Sequence, residues 1–403
     1  MKRRLLLRVA PYNRFTWPLL LNILEINGLD DAFDIRFVDG PVAMIIDDHL
    51  ADARRDDIML FSFMTPHLAH VAGDIAAVRG RVITAAGGIH TSAWPDHTRS
   101  LGFDIVFTGP AERSFAEFAR DITEQNTYRD RYDGSDNDPF DDAIPLTRHI
   151  RFFPPLEIIR GCRWHCRYCA TGRHPRYRSF ASVERYLEKL REIVPHRVGF
   201  IAPSALDYGI HENDPDALAR VLSHARSRFR FVEFGVFPSE LRPESVTHES
   251  LSMIKRYATN RRLVIGCQSA SNKRLSAIAR GHTADDVIRA AATANECGFR
   301  ALFDIIVAYP DETPDERSEN ILFIRDVTKR YNARFHLHHF FPLAGSDYEF
   351  RFPSFMSDAE RNAFLSLAQN GTATPWWHED EKNARAYFSY IVKNYPDLYA
   401  RYH

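Results

Sequence analysis

The sequence predicts an α/β chain with two parallel-sheet domains in series and a short helical region after them. Three observations predict it. Over residues 1–124, apolar strand-like runs alternate with helical patterns. The same alternation returns over 154–347. Alternation of this kind marks parallel strands joined by crossover helices. Between the two blocks, 125–153 is rich in Asp, Arg, Asn and Pro, and DGSDNDP at 133–139 is almost wholly turn formers. That stretch reads as a surface linker. At 403 residues the chain is long enough for two or three substantial cores.

In the first block, strands are expected at 5–9, 35–38, 58–62, 82–86 and 105–108, with helices such as 16–27 and 67–78 between them. Open Rossmann-like sheets bind ligands beyond the carboxyl ends of their strands. The candidates there are Tyr12, Ser62, Thr65, Gly87, Gly88 and Glu112. The glycine pair would let a ligand approach the backbone closely. In the second block, strands are expected at 156–160, 198–202, 231–236, 263–268, 300–308 and 334–341. Function in barrels also collects at carboxyl ends. The polar residues there are Ser204, Asp207, Ser239, Glu240, Gln268, Ser269, Tyr309, His336 and His338. Period-two geometry puts His336 and His338 on one face and His339 on the other. Glu240 and Arg242 read as a charged pair able to hold a ligand. The last region, 348–403, is aromatic-rich, with Ser357 placed to cap a helix over 358–369 and Gly371 placed to stop it. It is expected to pack on the barrel; the sharper alternative is a partner-binding surface.

Composition sets the outer limits. Apolar residues make up 45% and charged residues 26%, as in a globular protein, and the formal net charge of −1 gives no case for nucleic acid or an anionic membrane. No apolar run approaches the ~20 residues of a membrane span. MKRRLLL at the start reads as a first strand rather than a signal peptide. The five cysteines show no extracellular disulfide pattern, which points to a reducing cytoplasm.

Three of those cysteines, Cys162, Cys166 and Cys169, stand at C-x3-C-x2-C spacing in GCRWHCRYCATG at 161–172. They are too close in sequence for easy mutual disulfides and want a soft metal. Structural zinc needs four ligands, and His165 as the fourth would crowd the loop. Ferredoxin-type clusters also use four cysteines. Cys267 and Cys297 are far along the chain and read as small buried hydrophobes. Three cysteines on a four-iron cluster leave one iron open.

That spacing, after the strand-like PLEIIR, resembles the radical S-adenosylmethionine (radical SAM) superfamily. The resemblance implies a partial (β/α)6 barrel, a [4Fe-4S] cluster on Cys162, Cys166 and Cys169, and S-adenosyl-L-methionine on the open iron. It puts Tyr168 beside the adenine and implies cofactor contacts from Ser204, Asp207, Ser239, Glu240, Gln268 and Ser269. The segment DIIVAYPDE at 304–312 resembles the family's adenine-facing strand end, where glycines are usual but Ala308 and Asp311 stand here. The first block resembles the cobalamin-binding domain that precedes many radical SAM domains, with Tyr12, Ser62, Thr65, Gly87, Gly88 and Glu112 as its contacts. The D-x-H-x-x-G motif that supplies a histidine to cobalt is absent; DDHLAD at 47–52 has only its beginning and in the wrong place. Cobalamin is therefore expected without a histidine on cobalt.

Together IIRGCRWHCRYC, FPSELRPE, GCQSASNKRL, RGHT and FFPLAGS resemble an archaeal branch of cobalamin-dependent radical SAM proteins. That branch includes the glutamine C-methyltransferase of methyl-coenzyme M reductase. The resemblance implies C-methylation of an unactivated sp3 carbon in a protein or peptide, with methylcobalamin as methyl donor. Tyr309, His336 and His338 would be the catalytic residues and a reducing electron donor a partner. Two alternatives stand beside it: a cobalamin-binding radical enzyme of small-molecule or lipid metabolism, and a redox or cobalamin sensor.

Overall fold

The computed structural model describes residues 2–41, 44–45, 49–210 and 214–403. Asp47 and Asp48 of the D-x-H sequence lie outside the described residues. The chain divides into two compact units: one is Met1–Pro154 with Leu343–Gly345, the other Pro155–Pro342 with Ser346–His403.

The first unit is a six-stranded parallel sheet: β1 Arg3–Arg8, β2 Phe33–Val38, β3 Ile58–Ser62, β4 Ile83–Gly87, β5 Ile105–Thr108 and β6 Arg131–Asp133. The strand order is β2-β1-β3-β4-β5-β6. Leu5, Leu6 and Leu7 of β1 are all buried, which requires cover on both faces of the sheet. Part of that cover is the helix Ser114–Glu124. Its Phe115, Phe118, Ala119 and Ile122 fall at helical spacing on one buried stripe.

β6 corrects the linker reading of 125–153. It pairs with β5 from Val106↔Arg131 to Thr108↔Asp133, and Tyr132 is in the core, stacked on Phe107. Further on, Asn22 takes the Ile144 N–H on its Oδ1 (2.9 Å) and donates from Nδ2 to the Leu146 carbonyl (2.8 Å). The turn formers do make turns, but packed ones. A Cβ at Gly134 would sit 1.7 Å from the Pro110 carbonyl oxygen.

In the second unit, β7 Leu156–Glu157 is followed by an antiparallel pair, β8 Ile159–Arg160 and β9 Arg176–Tyr177. Then come β10 Arg197–Ile201, β11 Phe231–Glu233, β12 Arg262–Gln268, β13 Arg300–Val307, β14 Arg334–His339 and β15 Ala373–Thr374. Two parallel runs, β11-β10-β7 and β12-β13-β14-β15, meet at a bridge between Leu241 and Ile265. The six expected barrel strands are present as β7 and β10 to β14.

β15 comes from the C-terminal region, so 348–403 is built into the second unit. Ser357 caps the helix Asp358–Gln369 in a reciprocal box with Glu360, and Gly371 follows it at φ +65°. Phe364, Trp377, Tyr387, Phe388 and Tyr402 are buried, so part of the aromatic content is core, while Trp376 is exposed. Among the described residues no helix is long and apolar enough to cross a membrane.

Candidate active site

The cysteine loop lies between β8 and β9. Gly161, at φ +81°, starts it, and a Cβ there would meet the His174 and Gly172 carbonyl oxygens at 2.8 and 3.0 Å. The Cys162 N–H bonds the Gly172 carbonyl (2.7 Å) and the Cys169 N–H bonds that of Cys166 (3.1 Å). The loop thus folds on itself and turns Cys162, Cys166 and Cys169 onto one cavity of about 350 Å³. Among the described residues only Glu25, Asp30 and His149 bring three ligand atoms within 4.8 Å of one another. At least one pair of the three cysteine sulfurs is therefore more than 4.8 Å apart, against the ~3.8 Å that a tetrahedral zinc–thiolate site imposes. His165 is exposed beside Arg173. Three thiols so spread, with no fourth donor from the loop, fit a multi-iron core better than one zinc ion.

Polar groups from several strands face the same cavity. Arg280 is buried, with Nη1 3.6 Å from Cys166 Sγ and Nη2 on the Gly266 carbonyl (3.0 Å). Burial opposes its charge, but Tyr168, Cys166 and Glu240 hold the guanidinium above its ordinary pKa. Gly266 makes this convergence possible: a Cβ there would lie 2.2 Å from Arg280 Nη2 and 2.8 Å from both Gln268 Nε2 and Glu240 Oε2. Gln268 sits at φ +69°, and its Oε1 is buried without a hydrogen-bond partner. Burial and the facing Asp304 push the Glu240 carboxyl up to about 7. Asp304 itself stays below the ordinary carboxylate range: burial opposes this, but His336 and His338 prevail. His336 Nδ1 is 3.0 Å from Asp304 Oδ1 and His338 Nε2 is 3.9 Å from it.

In the first unit the strand order reverses between β1 and β3, which marks the crevice where such sheets take ligands. Asn13 ties its two sides, donating to the Arg8 and Ser62 carbonyls (2.9 and 3.1 Å). Tyr12 follows β1 and His67 follows β3, and their rings stack at 3.6 Å. Burial, with His70 nearby, pushes the His67 imidazole down to about 4, so it is neutral at pH 7. Met64 and Ile89, at the ends of β3 and β4, are exposed apolar residues.

Residues 156–324 match the radical SAM superfamily. Over 200 residues the chain is 26% identical to an uncharacterized methyltransferase of Pyrococcus horikoshii, covering 48% of this chain and 42% of that protein. A 2-methylthio-N6-dimethylallyladenosine tRNA synthase of Thermosipho africanus is 23% identical over 191 residues, 45% of this chain and 43% of that one. The chain thus spans less than half the length of each. Among solved structures, the radical SAM methyltransferase TsrM of Kitasatospora setae, with cobalamin and a [4Fe-4S] cluster bound, superposes with a TM-score of 0.59 at 15% identity. The match covers 87% of this chain and 78% of that one. The cobalamin-dependent radical enzyme OxsB, with aqua-cobalamin bound, gives 0.59 at 15% identity over 92% of this chain and 56% of that one. The shared fold spans both units of this chain.

The radical SAM segment gathers some expected residues and sets others aside. Cys162, Cys166, Cys169, Tyr168, Glu240, Gln268 and His338 line the cavity. Asp207 stands behind it, accepting from Trp164 Nε1 (3.0 Å). Ser204 is buried, its carbonyl accepting the Asp207 N–H (3.1 Å). Ser239 is wholly buried on the Ala202 carbonyl, and Ser269 accepts the Ser271 N–H, so both serve the scaffold. Tyr309 does not reach the mouth: it is fully buried in a small apolar cluster with Leu275, Ile278 and Phe340, against Tyr168. Glu240 and Arg242 do not pair. Arg242 bonds Glu244 and the Arg280 carbonyl and lies 3.8 Å over the Trp164 ring.

Ala308 and Asp311 adopt φ +63° and +58°, the left-handed conformation for which glycine is usual. Glu312 holds the Ala308 N–H, and Arg274 holds the Pro310 and Asp311 carbonyls, so the turn forms without glycine.

In the first unit, Gly88 at φ +101° is needed by the protein itself, since a Cβ would lie 2.5 Å from the Phe63 carbonyl oxygen. A Cβ at Gly87 would make only ordinary contact with Phe107, at 3.6 Å. Thr65 Oγ1 is engaged by His90 and by the Ala344 N–H, both at 3.1 Å. Ser62 Oγ meets Thr16 Oγ1 at 3.3 Å, and Glu112 is buried. Of the six, Tyr12 and Ser62 lie at the β1/β3 crevice.

Sequence reasoning missed Asp304, Arg280 and Asp380. Asp304 left a signal, the one charge among the apolar residues that follow Arg300 in RALFDIIV. Arg280 left a weaker one in RGHT.

Proposed function

We propose that the chain is a cobalamin-dependent radical SAM C-methyltransferase that methylates an unactivated sp3 carbon of a protein or peptide. The observation that carries it is the three-thiol loop without a nearby fourth ligand, opening on a polar cavity after a Rossmann-like unit. The fold shared with TsrM and OxsB supports cobalamin in that first unit. The exposed Met64 and Ile89 beside the β1/β3 crevice fit a broad, largely apolar macrocycle. When bound, the cluster with S-adenosylmethionine supplies a 5′-deoxyadenosyl radical, and cobalamin supplies the methyl group. The chain's own residues bind and orient. Cys162, Cys166 and Cys169 hold the cluster, with Arg280 beside Cys166 balancing thiolate charge. Glu240 and Gln268 offer a proton donor and a free acceptor to S-adenosylmethionine. Tyr168, backed by Tyr309, gives the adenine a flat wall. Holding these partners in one cavity is the protein's main contribution. The finer reading, the Cα of a glutamine in methyl-coenzyme M reductase, rests on the motif resemblance in the sequence.

The test is anaerobic turnover with dithionite, hydroxocobalamin, S-adenosylmethionine and a peptide of that glutamine region. Deoxyadenosine, S-adenosylhomocysteine and methylated peptide are expected in equal amounts. Product with deoxyadenosine but no S-adenosylhomocysteine would replace methyl transfer with a cobalamin-assisted rearrangement.

A further inference from the structure

The helix Trp376–Asn394 reaches the cavity wall. Its Asp380 Oδ2 is 3.3 Å from His338 Nδ1 and accepts the His339 backbone N–H at the same distance. His338 Nε2 faces the other way, 3.9 Å from Asp304 Oδ1, which is an ion-pair distance and too long for a hydrogen bond. One ring N–H is therefore used by Asp380, while the other, only loosely ion-paired with Asp304, can donate into the cavity that His338 lines. We propose that Asp380 is a positioning residue that fixes His338 so that its Nε2–H takes an acceptor oxygen, a carbonyl or carboxamide, beside the reacting carbon of the substrate. The inference rests on the C-methyltransferase reading.

The surroundings agree. The charged and titratable groups facing His338 are Asp304 from β13, His336 on its own strand, Glu240 from the loop before β12, and Asp380 from the helix. Trp376, on the same helix, packs on His336 and His338 with ring centroids at 4.6 and 5.6 Å. Burial works against a charged imidazole here, but Asp304 and Asp380 raise it to about 9. A cationic donor held by two carboxylates polarises an oxygen without giving up its proton.

The test uses the full chain with its cluster and has two readings. In spectra of the 13Cε1-histidine-labelled protein, with His338→Gln for assignment, the His338 midpoint should fall in Asp380→Asn towards the ordinary value. That reading does not depend on turnover. In turnover, the ratio of methylated product to deoxyadenosine should fall about tenfold at pH 8 in Asp380→Asn and recover at pH 6, where the ring regains its proton. Lys382→Ala, an exposed change on the same helix, should track wild type. An unmoved His338 midpoint would overturn the proposal. So would a parallel fall of deoxyadenosine and product, because His338 would then serve S-adenosylmethionine. A wild-type protein that forms no deoxyadenosine would instead overturn the C-methyltransferase reading, whatever the midpoint does.

Discussion

At the carboxyl ends of the barrel strands, Glu240, Gln268 and His338 turn polar atoms into one cavity; at the same ends of the first sheet, Asn13, Thr65 and His90 turn theirs into neighbouring loops. Both sheets are parallel and both obey the rule that ligands collect at strand ends. The difference lies in what is left unsatisfied. The barrel keeps a Gln268 oxygen without a hydrogen-bond partner, a carboxyl whose pKa is raised to about 7, and three thiols in no disulfide. The first sheet keeps a crevice flanked by a stacked Tyr12–His67 pair and exposed apolar side chains. The barrel thus offers groups for recognition atom by atom, and the first unit a surface for recognition by shape and apolar contact.

The largest effect should come from the barrel. Replacing Cys162, Cys166 and Cys169 together with Ala should remove all cluster iron and all deoxyadenosine formation. Cys267→Ala should leave iron near wild type, because that thiol is wholly buried away from the cavity, with its pKa pushed up to about 12 by burial. Iron and sulfide analysis of anaerobically purified protein checks both. Iron retained in the triple variant would remove the contrast, since the barrel would then lack its specific ligand set.

A smaller effect is expected at the crevice. Tyr12→Ala should weaken hydroxocobalamin binding by about tenfold, the size of one lost aromatic contact. Paramagnetic resonance of the cob(II)alamin form should show no nitrogen splitting from a protein imidazole. A splitting abolished by His67→Ala would break the comparison, because the first unit would then also bind its ligand through a dedicated atom. His90 is a poor candidate for that role, being fully buried between Thr65 and His97.

How much of this the sequence disclosed follows the same division. The cysteine loop was legible because its chemistry is local: three thiols within eight residues have few other uses. The barrel strands were legible as apolar runs of the right spacing. Asp380 was not legible, because its role depends on β15 pairing with β14 and bringing the next helix to His338. β6 was hidden by composition, since Arg131 and Asp133 are exposed and Tyr132 alone is buried. The Gly87–Gly88 pair suggests room for a ligand, but the room at Gly88 is taken by the Phe63 backbone. Polar strand ends look alike in sequence whether they face a ligand or a loop.

The smallest expected effect bears on whether the barrel's polar groups carry a cost that the first sheet avoids. Glu240 holds its proton up to about pH 7, against an ordinary value of 4.5. Between those values the folded chain binds more protons than the unfolded one, so this carboxyl lowers stability as pH rises through the window. Above about pH 7 the loss is complete, of order 1 kcal/mol after allowing for its access to the cavity. Glu240→Gln should therefore match wild type in urea midpoint at pH 5 and exceed it at pH 8. Asp304→Asn should fall below wild type at both pH 5 and pH 8 and converge on it only in acid, below the ordinary carboxylate value of 3.8. Asp304 is held below its ordinary range, so its contribution is present at neutral pH and is lost as pH falls through the folded value. Two carboxyls facing each other with opposite pH signatures is the arrangement expected when one is kept neutral and the other ionised. If Glu240→Gln instead lowers the pH 8 midpoint, Glu240 is ionised and stabilised by Arg280. The cavity would then present a fixed negative charge to S-adenosylmethionine rather than a proton donor.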